Sequence, residues 1–234
     1  MNVKNKTCTA LCVVASIMFL LATAFTILQI SINNREYFRS RQAELMTHLQ
    51  TGMSQEDNFD AFMRMIDYME GRIDTIQVEK EVDGVVREVY NEQEVLHMID
   101  VRNLYKACGI VRFVFFALSA VLIIVSAIIV KSDFVDVLAR GYIIGVIILL
   151  IIIACLGIYA AIDFDSFWTS FHKIFFTNDL WLFDYSKSLM IRMCPLELFS
   201  GIIVFFTVPF VGIMVLFLII AIIIKRRRYK NAES

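Results

Sequence analysis

Four long runs of apolar residues constrain this chain more than any other feature of its sequence. The third run, between Gly141 and Ile162, contains no charged residue, and the second contains only Arg112 near one end. A helix needs about 20 apolar residues to cross the hydrocarbon core of a bilayer, and none of the runs alternates as a membrane strand does. Hydrophobic residues make up 59% of the 234 residues, more than a soluble domain of this size can bury. The sequence therefore predicts an α-helical membrane protein with four transmembrane helices.

Positive charges at the ends of the runs predict the side of the membrane on which each connection lies. Lys and Arg are concentrated before the first run, between the second and third, and after the fourth, and cytoplasmic segments carry such an excess. Lys4 and Lys6 would also fit a signal peptide, but the first run continues past the cleavage-like Ala22-Thr23-Ala24, so we expect it to be retained. The predicted order is a cytoplasmic N-terminus (1–9), a first transmembrane helix (10–32), an extracytoplasmic cap (33–107), a second transmembrane helix (108–130), a cytoplasmic loop (131–140), a third transmembrane helix (141–162), an aromatic-rich extracytoplasmic interfacial segment (163–199), a fourth transmembrane helix (200–224) and a basic cytoplasmic tail (225–234).

The first extracytoplasmic connection has the pattern of a small folded α+β cap. Residues 55–70 follow a helix-capping sequence and place their apolar side chains on one face. Strand-like residues on both sides of Asp83-Gly84 predict a β-hairpin. Asn91, with Glu94 three residues later, predicts the start of a further helix that leads into the second apolar run.

The second extracytoplasmic connection is unusually rich in aromatic residues. At helical spacing one side carries Phe164, Trp168, Phe171 and Phe175, and Trp181 follows. Aromatic rings suit the headgroup level of a membrane, so the segment is an interfacial anchor or packs between the cap and the membrane helices. Neither interpretation explains His172, which lies among the rings.

Two of the three histidines lie in these extracytoplasmic segments. His97 has Glu94 three residues before it and Asp100 three residues after it, each near enough on one helical face to orient an imidazole. From spacing alone a structural role is favoured for His97 and His172, as it is for His48. No third ligand at suitable spacing accompanies either of the two, so no metal site is expected. Because histidine titrates near neutral pH, the two also form a candidate acid–base pair.

If His97 acts on a lipid, the chain must change direction at two places. Its helix must bend near Cys108-Gly109, where glycine makes a bend easy, and the segment that carries His172 must turn away from the third run near Asp163. Cys108 and Cys194 lie at the predicted outer boundaries and are the candidates for a disulfide, although isolated thiols near a membrane usually act as small apolar residues. The sequence leaves their pairing open.

Three short motifs occur in order along the chain. They are Glu94-Val-Leu-His97-Met-Ile-Asp100-Val-Arg102-Asn-Leu104, Phe171-His172-Lys-Ile-Phe175-Phe176-Thr-Asn178-Asp179-Leu-Trp181, and Met193-Cys-Pro-Leu-Glu-Leu-Phe199. Together they resemble the motifs of the lipoprotein intramolecular transacylase family, Lit, integral membrane proteins of Gram-positive bacteria. The resemblance covers most of the chain and the four predicted helices, whereas about residues 35–75 match no pattern of the family.

The resemblance implies an acyltransferase of the cell membrane. Such an enzyme moves an acyl chain from the sn-2 ester of the diacylglyceryl group of a lipoprotein to the α-amino group of its N-terminal cysteine, which gives the lyso-form lipoprotein. It implies His97 and His172 as the catalytic residues, acting as general acid and base at the extracytoplasmic face, with no cofactor. Candidates for supporting or substrate-binding roles are Asp100, Arg102, Trp168, Phe171, Phe175, Asn178 and Trp181.

The expected partners are the diacylglyceryl-lipoprotein substrate and membrane lipid. Lys and Arg number 22 against 23 for Asp and Glu, so no positive field points to nucleic acid. Two other functions are compatible with the residues: a non-catalytic four-helix membrane subunit, and a lipid ester hydrolase that uses the same histidines with water as the acceptor. The fate of the acyl chain distinguishes the hydrolase from the transacylase.

Overall fold

The computed structural model describes the backbone of residues 2–233 and the side chains of residues 2–227. Part of the predicted basic tail (225–234), including the side chains of Arg228 and Lys230, therefore lies outside the described residues. The chain forms two units. An apolar-helix unit comprises Met1–Leu28, Gly109–Tyr159 and Phe206–Ser234, and a histidine unit comprises Gln29–Cys108 and Ala160–Phe205.

Long helices make up the apolar-helix unit. They are α1 (Val3–Ile32), α5 (Glu92–Val130), α6 (Phe134–Ile162) and α9 (Leu196–Glu233). Each of the four helices continues for some residues into the histidine unit. A 3-10 turn, Lys131–Asp133, separates α5 from α6, and Lys131 has a φ of 42°. A left-handed residue of this kind cannot continue an α-helix, so α5 ends there.

Small residues allow α5 and α6 to pack closely on α1. The Ser119 hydroxyl of α5 donates to the carbonyl of Ala15 at 2.9 Å. On α6, a Cβ added to Gly141 would lie 2.8 Å from the carbonyl carbon of Cys12, and one added to Gly145 would lie 3.2 Å from the Cβ of Ser16. Close backbone approach at small residues is the usual way in which helices associate in a bilayer.

Three helical stretches of the described chain are long and apolar enough to cross a membrane. They are Val3–Ile32, Glu92–Ile162 and Leu196–Arg227. The middle stretch contains α5, the 3-10 turn and α6, so the second and third predicted helices fall within one stretch. A mainly helical membrane fold with a small α+β region is confirmed at this level.

Among the described residues, five shorter helices and a hairpin complete the histidine unit. The hairpin consists of β1 (Glu79–Val82) and β2 (Val85–Glu88). The shorter helices are α2 (Arg35–Glu44), α3 (Thr47–Thr51), α4 (Gln55–Met69), α7 (Phe164–Phe175) and α8 (Leu189–Met193). Asp83 and Gly84 adopt φ values of 52° and 81° between the antiparallel strands. This is the turn that an Asp-Gly pair favours, so the predicted hairpin is confirmed.

The core of the histidine unit contains the predicted apolar face of α4. Phe59, Phe62, Met63 and Met69 are buried in it. Beside them lies a polar network that the sequence did not indicate, in which Asn58 donates to Thr47 at 2.9 Å and accepts from Thr51 at 2.8 Å. These bonds satisfy the buried side chains of Asn58, Thr47 and Thr51, in the region for which no family pattern was found.

The sequence predicts changes of direction at two places, Asp163 and Cys108-Gly109. The chain turns at Asp163 as predicted, because α6 ends at Ile162 and α7 begins at Phe164 with the Asp163 side chain accepting a hydrogen bond from the backbone of Ser166. At Cys108-Gly109 α5 remains helical through both residues, so a bend there would have to occur within the helix, and it stays a prediction.

All five cysteines are free thiols. Cys108 and Cys194 are therefore not bridged, and burial raises the pKa of the Cys194 thiol, which keeps it protonated.

Candidate active site

His97 lies in the second turn of α5, and a capping box fixes where that helix begins. Asn91 accepts a hydrogen bond from the backbone of Glu94 at 3.0 Å, and the Glu94 carboxylate accepts one from the backbone of Asn91 at 2.7 Å. This reciprocal pair is the arrangement that the sequence predicts. Because the start of α5 is fixed, the direction of the His97 side chain one turn later is fixed as well.

His172 lies near the end of α7 and is anchored to the backbone of its own helix. Its Nδ1 atom is 2.8 Å from the carbonyl oxygen of Trp168. Since a carbonyl oxygen only accepts, Nδ1 carries the proton of the neutral ring. The lone pair is then on Nε2, and a base at this position would act through that atom.

The two imidazole rings lie together in the histidine unit. Their centroids are 6.0 Å apart and their planes are 30° from parallel. His97 is 6% exposed and His172 is 7% exposed. Two histidines that are 75 positions apart in the sequence, on different helices, are thus brought into one largely dry site.

Aromatic rings enclose both histidines. Phe176 and Phe183 pack edge-on against His97, at centroid distances of 5.2 and 5.3 Å. Trp181 stacks on His172 at 5.0 Å, and Trp168 packs against it edge-on at the same distance. Phe176 also contacts His172, at 5.5 Å, and so belongs to the surroundings of both rings.

This apolar enclosure keeps the imidazoles neutral. The pKa of His97 falls from 6.5 to about 4, because burial and, to a smaller extent, the neighbouring His172 lower it, while Asp100 acts in the opposite direction. Burial also lowers the pKa of His172, while the hydrogen bond to Trp168 opposes the shift. Both rings are therefore bases that keep a free lone pair at neutral pH.

Asp100 is connected to His172 through two other residues. Its carboxylate accepts a hydrogen bond from the Asn178 side-chain amide at 2.8 Å. The carbonyl of Asn178 in turn accepts from the indole N–H of Trp181 at 2.9 Å, and the Trp181 ring stacks on His172. Among the described atoms, Nδ1 of His97 has no hydrogen-bond partner, so Asp100 does not orient His97 by a direct bond there.

Glu94 does not orient His97 either, contrary to one expectation from its spacing. The carboxylate is fully buried, and besides capping α5 it accepts hydrogen bonds from the Ser188 hydroxyl at 2.5 Å and from the backbone of Met190 at 2.9 Å. These donors are at the start of α8. The Glu94 carboxylate therefore caps both α5 and α8. It also attaches α5 to the C-terminal end of residues 176–188, a segment that we call the aromatic loop.

The predicted supporting residues fall into two groups. Trp168, Phe171 and Trp181 contact His172 directly, and Asp100 and Asn178 reach it through Trp181. The other two are placed elsewhere: Phe175 is half exposed and packs on Phe171, and the Arg102 guanidinium lies 4.6 Å from the centre of the Tyr68 ring.

Phe176 and Phe183 were missed as site residues, although Phe176 stands inside a quoted motif. Helical spacing assigned the inward position to Phe175, but α7 ends there and the extended backbone of Phe176 turns its ring towards the histidines. No periodic pattern covers the aromatic loop, so the sequence contains no signal for Phe183 beyond its aromatic character. Gln93, which binds this loop, carried no signal either.

The site is suited to proton transfer in a water-poor environment. It offers two neutral imidazoles, of which one has an identified lone-pair nitrogen, within a wall of rings that excludes solvent. In the part of the chain that the structure describes, no three His, Cys, Asp or Glu side chains are grouped as metal ligands. A neutral imidazole keeps a lone pair that can accept a proton, and histidine is the most common general acid or base in enzymes.

Comparisons with known proteins show what the chain is similar to. The family model "Lipoprotein intramolecular transacylase Lit" matches residues 13–199. A solved structure of the membrane-integral lipoprotein intramolecular transacylase Lit from Bacillus cereus is similar at 19% identity, with a TM-score of 0.68 over 96% of this chain and 98% of that one. A second structure of the Bacillus cereus protein, in which a histidine is replaced by arginine, is similar at 17% identity with a TM-score of 0.66, over 98% of this chain and 93% of that one. At these identities the two structures show a shared fold. A search of curated protein sequences gave no match.

Proposed function

The chain belongs to the lipoprotein intramolecular transacylase family Lit and is an enzyme of that family, and from this membership we propose its reaction and the residues that perform it. The reaction transfers the acyl chain of the sn-2 ester in a diacylglyceryl-lipoprotein to the α-amino group of the N-terminal cysteine of the same lipoprotein. The products are an amide and a free glyceryl hydroxyl. The observation that carries the proposal is the buried pair of imidazoles with centroids 6.0 Å apart.

His172 is the general base in this proposal. An α-amino group has a pKa of about 7.7–8.0, so a large part of it is protonated at neutral pH and cannot attack. Once the amine has added to the ester carbonyl, Nε2 of His172 takes a proton from the nitrogen. The imidazolium then gives that proton to the departing glyceryl oxygen, so the same ring acts as base and as acid. The bond from Nδ1 to the Trp168 carbonyl supports this role because it leaves Nε2 unprotonated.

His97 stabilises the charge that develops on the ester carbonyl oxygen. A pKa of about 4 keeps its imidazole neutral, and a neutral ring can donate an N–H to an oxyanion without competing for the transferred proton. Nδ1 of His97 has no partner among the described atoms, which leaves it available to a substrate.

The aromatic rings around the two imidazoles confine the substrate in this proposal. Attack by the amine closes a medium-sized ring through the cysteine and glyceryl atoms, and such rings are entropically unfavourable to form. Phe176, Trp181 and Phe183 restrict the space beside the imidazoles, and Asp100 and Asn178 hold Trp181 in place. Exposed apolar side chains on the same unit, Leu96, Ile99 and Phe175, provide a surface for the acyl chains. Arg102 remains a candidate for binding the polar part of the substrate.

The proposed topology has four crossings, both termini in the cytoplasm and the histidine unit outside. Lys131, with its left-handed backbone, supports two crossings within the middle helical stretch. Lys131 and Arg140 between these crossings, and the basic residues that follow the fourth apolar run at the end of α9, support a cytoplasmic location for these segments. This topology exposes the histidine unit to the outer leaflet, where lipoproteins are anchored.

Mass spectrometry of a reporter lipoprotein tests the reaction. In cells without their own transacylase, expression of this protein should convert an N-terminal peptide with a free amine and two ester-linked chains into an N-acylated peptide with one. His97→Gln and His172→Gln should each lower this conversion about a hundredfold or more, because each removes a group that acts in the transition state.

His48→Gln is the matched control, since it changes the third histidine, which lies on α3. It should convert the reporter as the parent does, and all three variants should accumulate in membranes. Full activity of either single variant at His97 or His172 would contradict the mechanism. Release of the chain as free fatty acid would replace the transacylase by an ester hydrolase.

A further inference from the structure

Gln93, the residue before Glu94, makes an unusual pair of contacts with the aromatic loop. Its side-chain nitrogen is 3.0 Å from the carbonyl oxygen of Leu180 and 3.1 Å from that of Leu182. Both partners can only accept, so the group that faces them is the NH₂ end of the amide, and its two hydrogens serve one carbonyl each. The side chain thus holds the backbone on both sides of Trp181.

The residue between the two carbonyls contacts a histidine. Trp181 stacks on His172 at 5.0 Å and 28°. One residue beyond Leu182, Phe183 packs edge-on against His97 at 5.3 Å. A shift of this stretch of backbone would therefore move one ring that packs on His172 and one ring that packs on His97.

The other hydrogen bonds that attach the aromatic loop to α5 lie towards its two ends. Asn178 is bound by Asp100, and Ser188 by Glu94. Between them, the contacts of Gln93 lie at the centre of the loop, where the enclosing rings are. α5 thus holds the loop at three points, and only the central point adjoins both Trp181 and Phe183.

We propose that Gln93 is a positioning residue for the transacylation site, which fixes Trp181 against His172 and Phe183 against His97. The role rests on the proposed function of the two histidines. It operates through geometry: with the loop fixed, the rings exclude water and the imidazoles keep the separation that proton transfer requires. Among the described residues, the hydrogen bonds of the Gln93 side chain go to the loop backbone and not to either histidine.

Replacement by methionine tests this role, because Met matches the length of Gln but offers no donor. Gln93→Met should lower kcat about ten- to a hundredfold with little change in KM, as expected when reacting groups are misplaced by about 1 Å. Gln93→Asn keeps the amide but is shorter by one methylene, so it should show the same loss. Gln77→Met is the control, since Gln77 also donates to a backbone carbonyl, that of Tyr90 at 2.9 Å, without contacting the loop.

A second readout separates positioning from a general loss of stability. The chain has three histidines, so NMR titration of the protein in micelles can follow each ring once His48→Gln and His97→Gln have identified their two signals. In Gln93→Met the pKa of His172 should rise towards its ordinary value because water reaches the ring. In Gln77→Met it should stay as in the parent.

Each outcome decides between the alternatives. An unchanged kcat in Gln93→Met, or a lowered kcat with an unchanged His172 titration, overturns the positioning role. Equal losses in Gln93→Met and Gln77→Met overturn it as well. A parent protein that transfers no acyl chain contradicts the proposed function instead, and the histidine titration still shows whether Gln93 positions the ring.

Discussion

At the scale of single residues, the two histidines differ in what fixes them. His172 is held by a bond to its own helix, whereas His97 is held by packing between Phe176 and Phe183. The sequence predicted that these two residues act together, through their motifs, but not what surrounds them. Packing partners from a non-periodic loop cannot be predicted from helical spacing, because that spacing carries no information beyond the end of the helix.

Burial of His97 makes the stability of the protein depend on pH. The pKa of the ring is about 4 in the folded chain and near 6.5 when it is exposed. Between these values the unfolded chain binds more protons, so the stabilisation is complete above pH 6.5 and is lost as the pH falls towards 4. We expect His97 to account for about 3 kcal/mol of lost unfolding free energy between pH 7 and pH 4.

Chemical denaturation of the purified protein in micelles, at a series of pH values, measures this loss. His97→Gln should show a smaller fall in unfolding free energy over the same range, since it has no group to protonate. Parallel curves for the parent and the variant would show that the His97 ring is not buried in its neutral form.

At the scale of elements, helices and turns with local signals were predicted well. The capping box at Asn91, the helix that follows Ser54 and the Asp-Gly hairpin all depend on neighbouring residues, and all are present. The end of α7 was placed less well, since the aromatic pattern continued to Phe175 while the site uses Phe176. The partners of Glu94 could not be predicted, because Ser188 lies far along the chain and its sequence has no periodic relation to α5.

Close packing of α6 on α1 gives a prediction at this scale. An added methyl group at Gly141 would meet both the side chain and the backbone of Cys12, so Gly141→Ala should destabilise the protein by about 1–3 kcal/mol. Gly157 lies on the same helix with nothing within 4 Å of its would-be Cβ. Gly157→Ala should therefore be neutral or slightly stabilising, because alanine is the better helix former.

Thermal denaturation of the two variants in the same detergent makes the comparison. The midpoint should fall for Gly141→Ala alone. A similar midpoint for both variants would mean that α6 does not approach α1 at this position.

At the scale of the whole molecule, composition was the most informative part of the sequence. Four apolar runs predicted a membrane protein, and the structure contains helical stretches that meet the requirement. Charge decided the proposed orientation, because Lys and Arg lie at the ends of the runs. The division into two units follows no local signal, since each unit is assembled from segments that are distant in the sequence.

Cysteine labelling in intact cells tests the orientation. Val86 is 67% exposed on β2 of the histidine unit, so Val86→Cys should react with a membrane-impermeant maleimide added outside. Lys4→Cys, at the predicted cytoplasmic end, should react only after the cells are opened. The parent chain gives the background of its own five cysteines, and labelling of Lys4→Cys in intact cells would reverse the proposed topology.

The double capping by Glu94 has a consequence for biosynthesis. Its partner Ser188 is 94 residues later in the chain, so a ribosome makes the carboxylate long before the group that binds it. In the interval, α6 has to be synthesised and inserted. A nascent chain arrested before Ser188 would already have the cap of α5, whereas the Glu94 oxygen that binds Ser188 would lack this partner, so the proposed active site is completed only when the segment after α6 has been made.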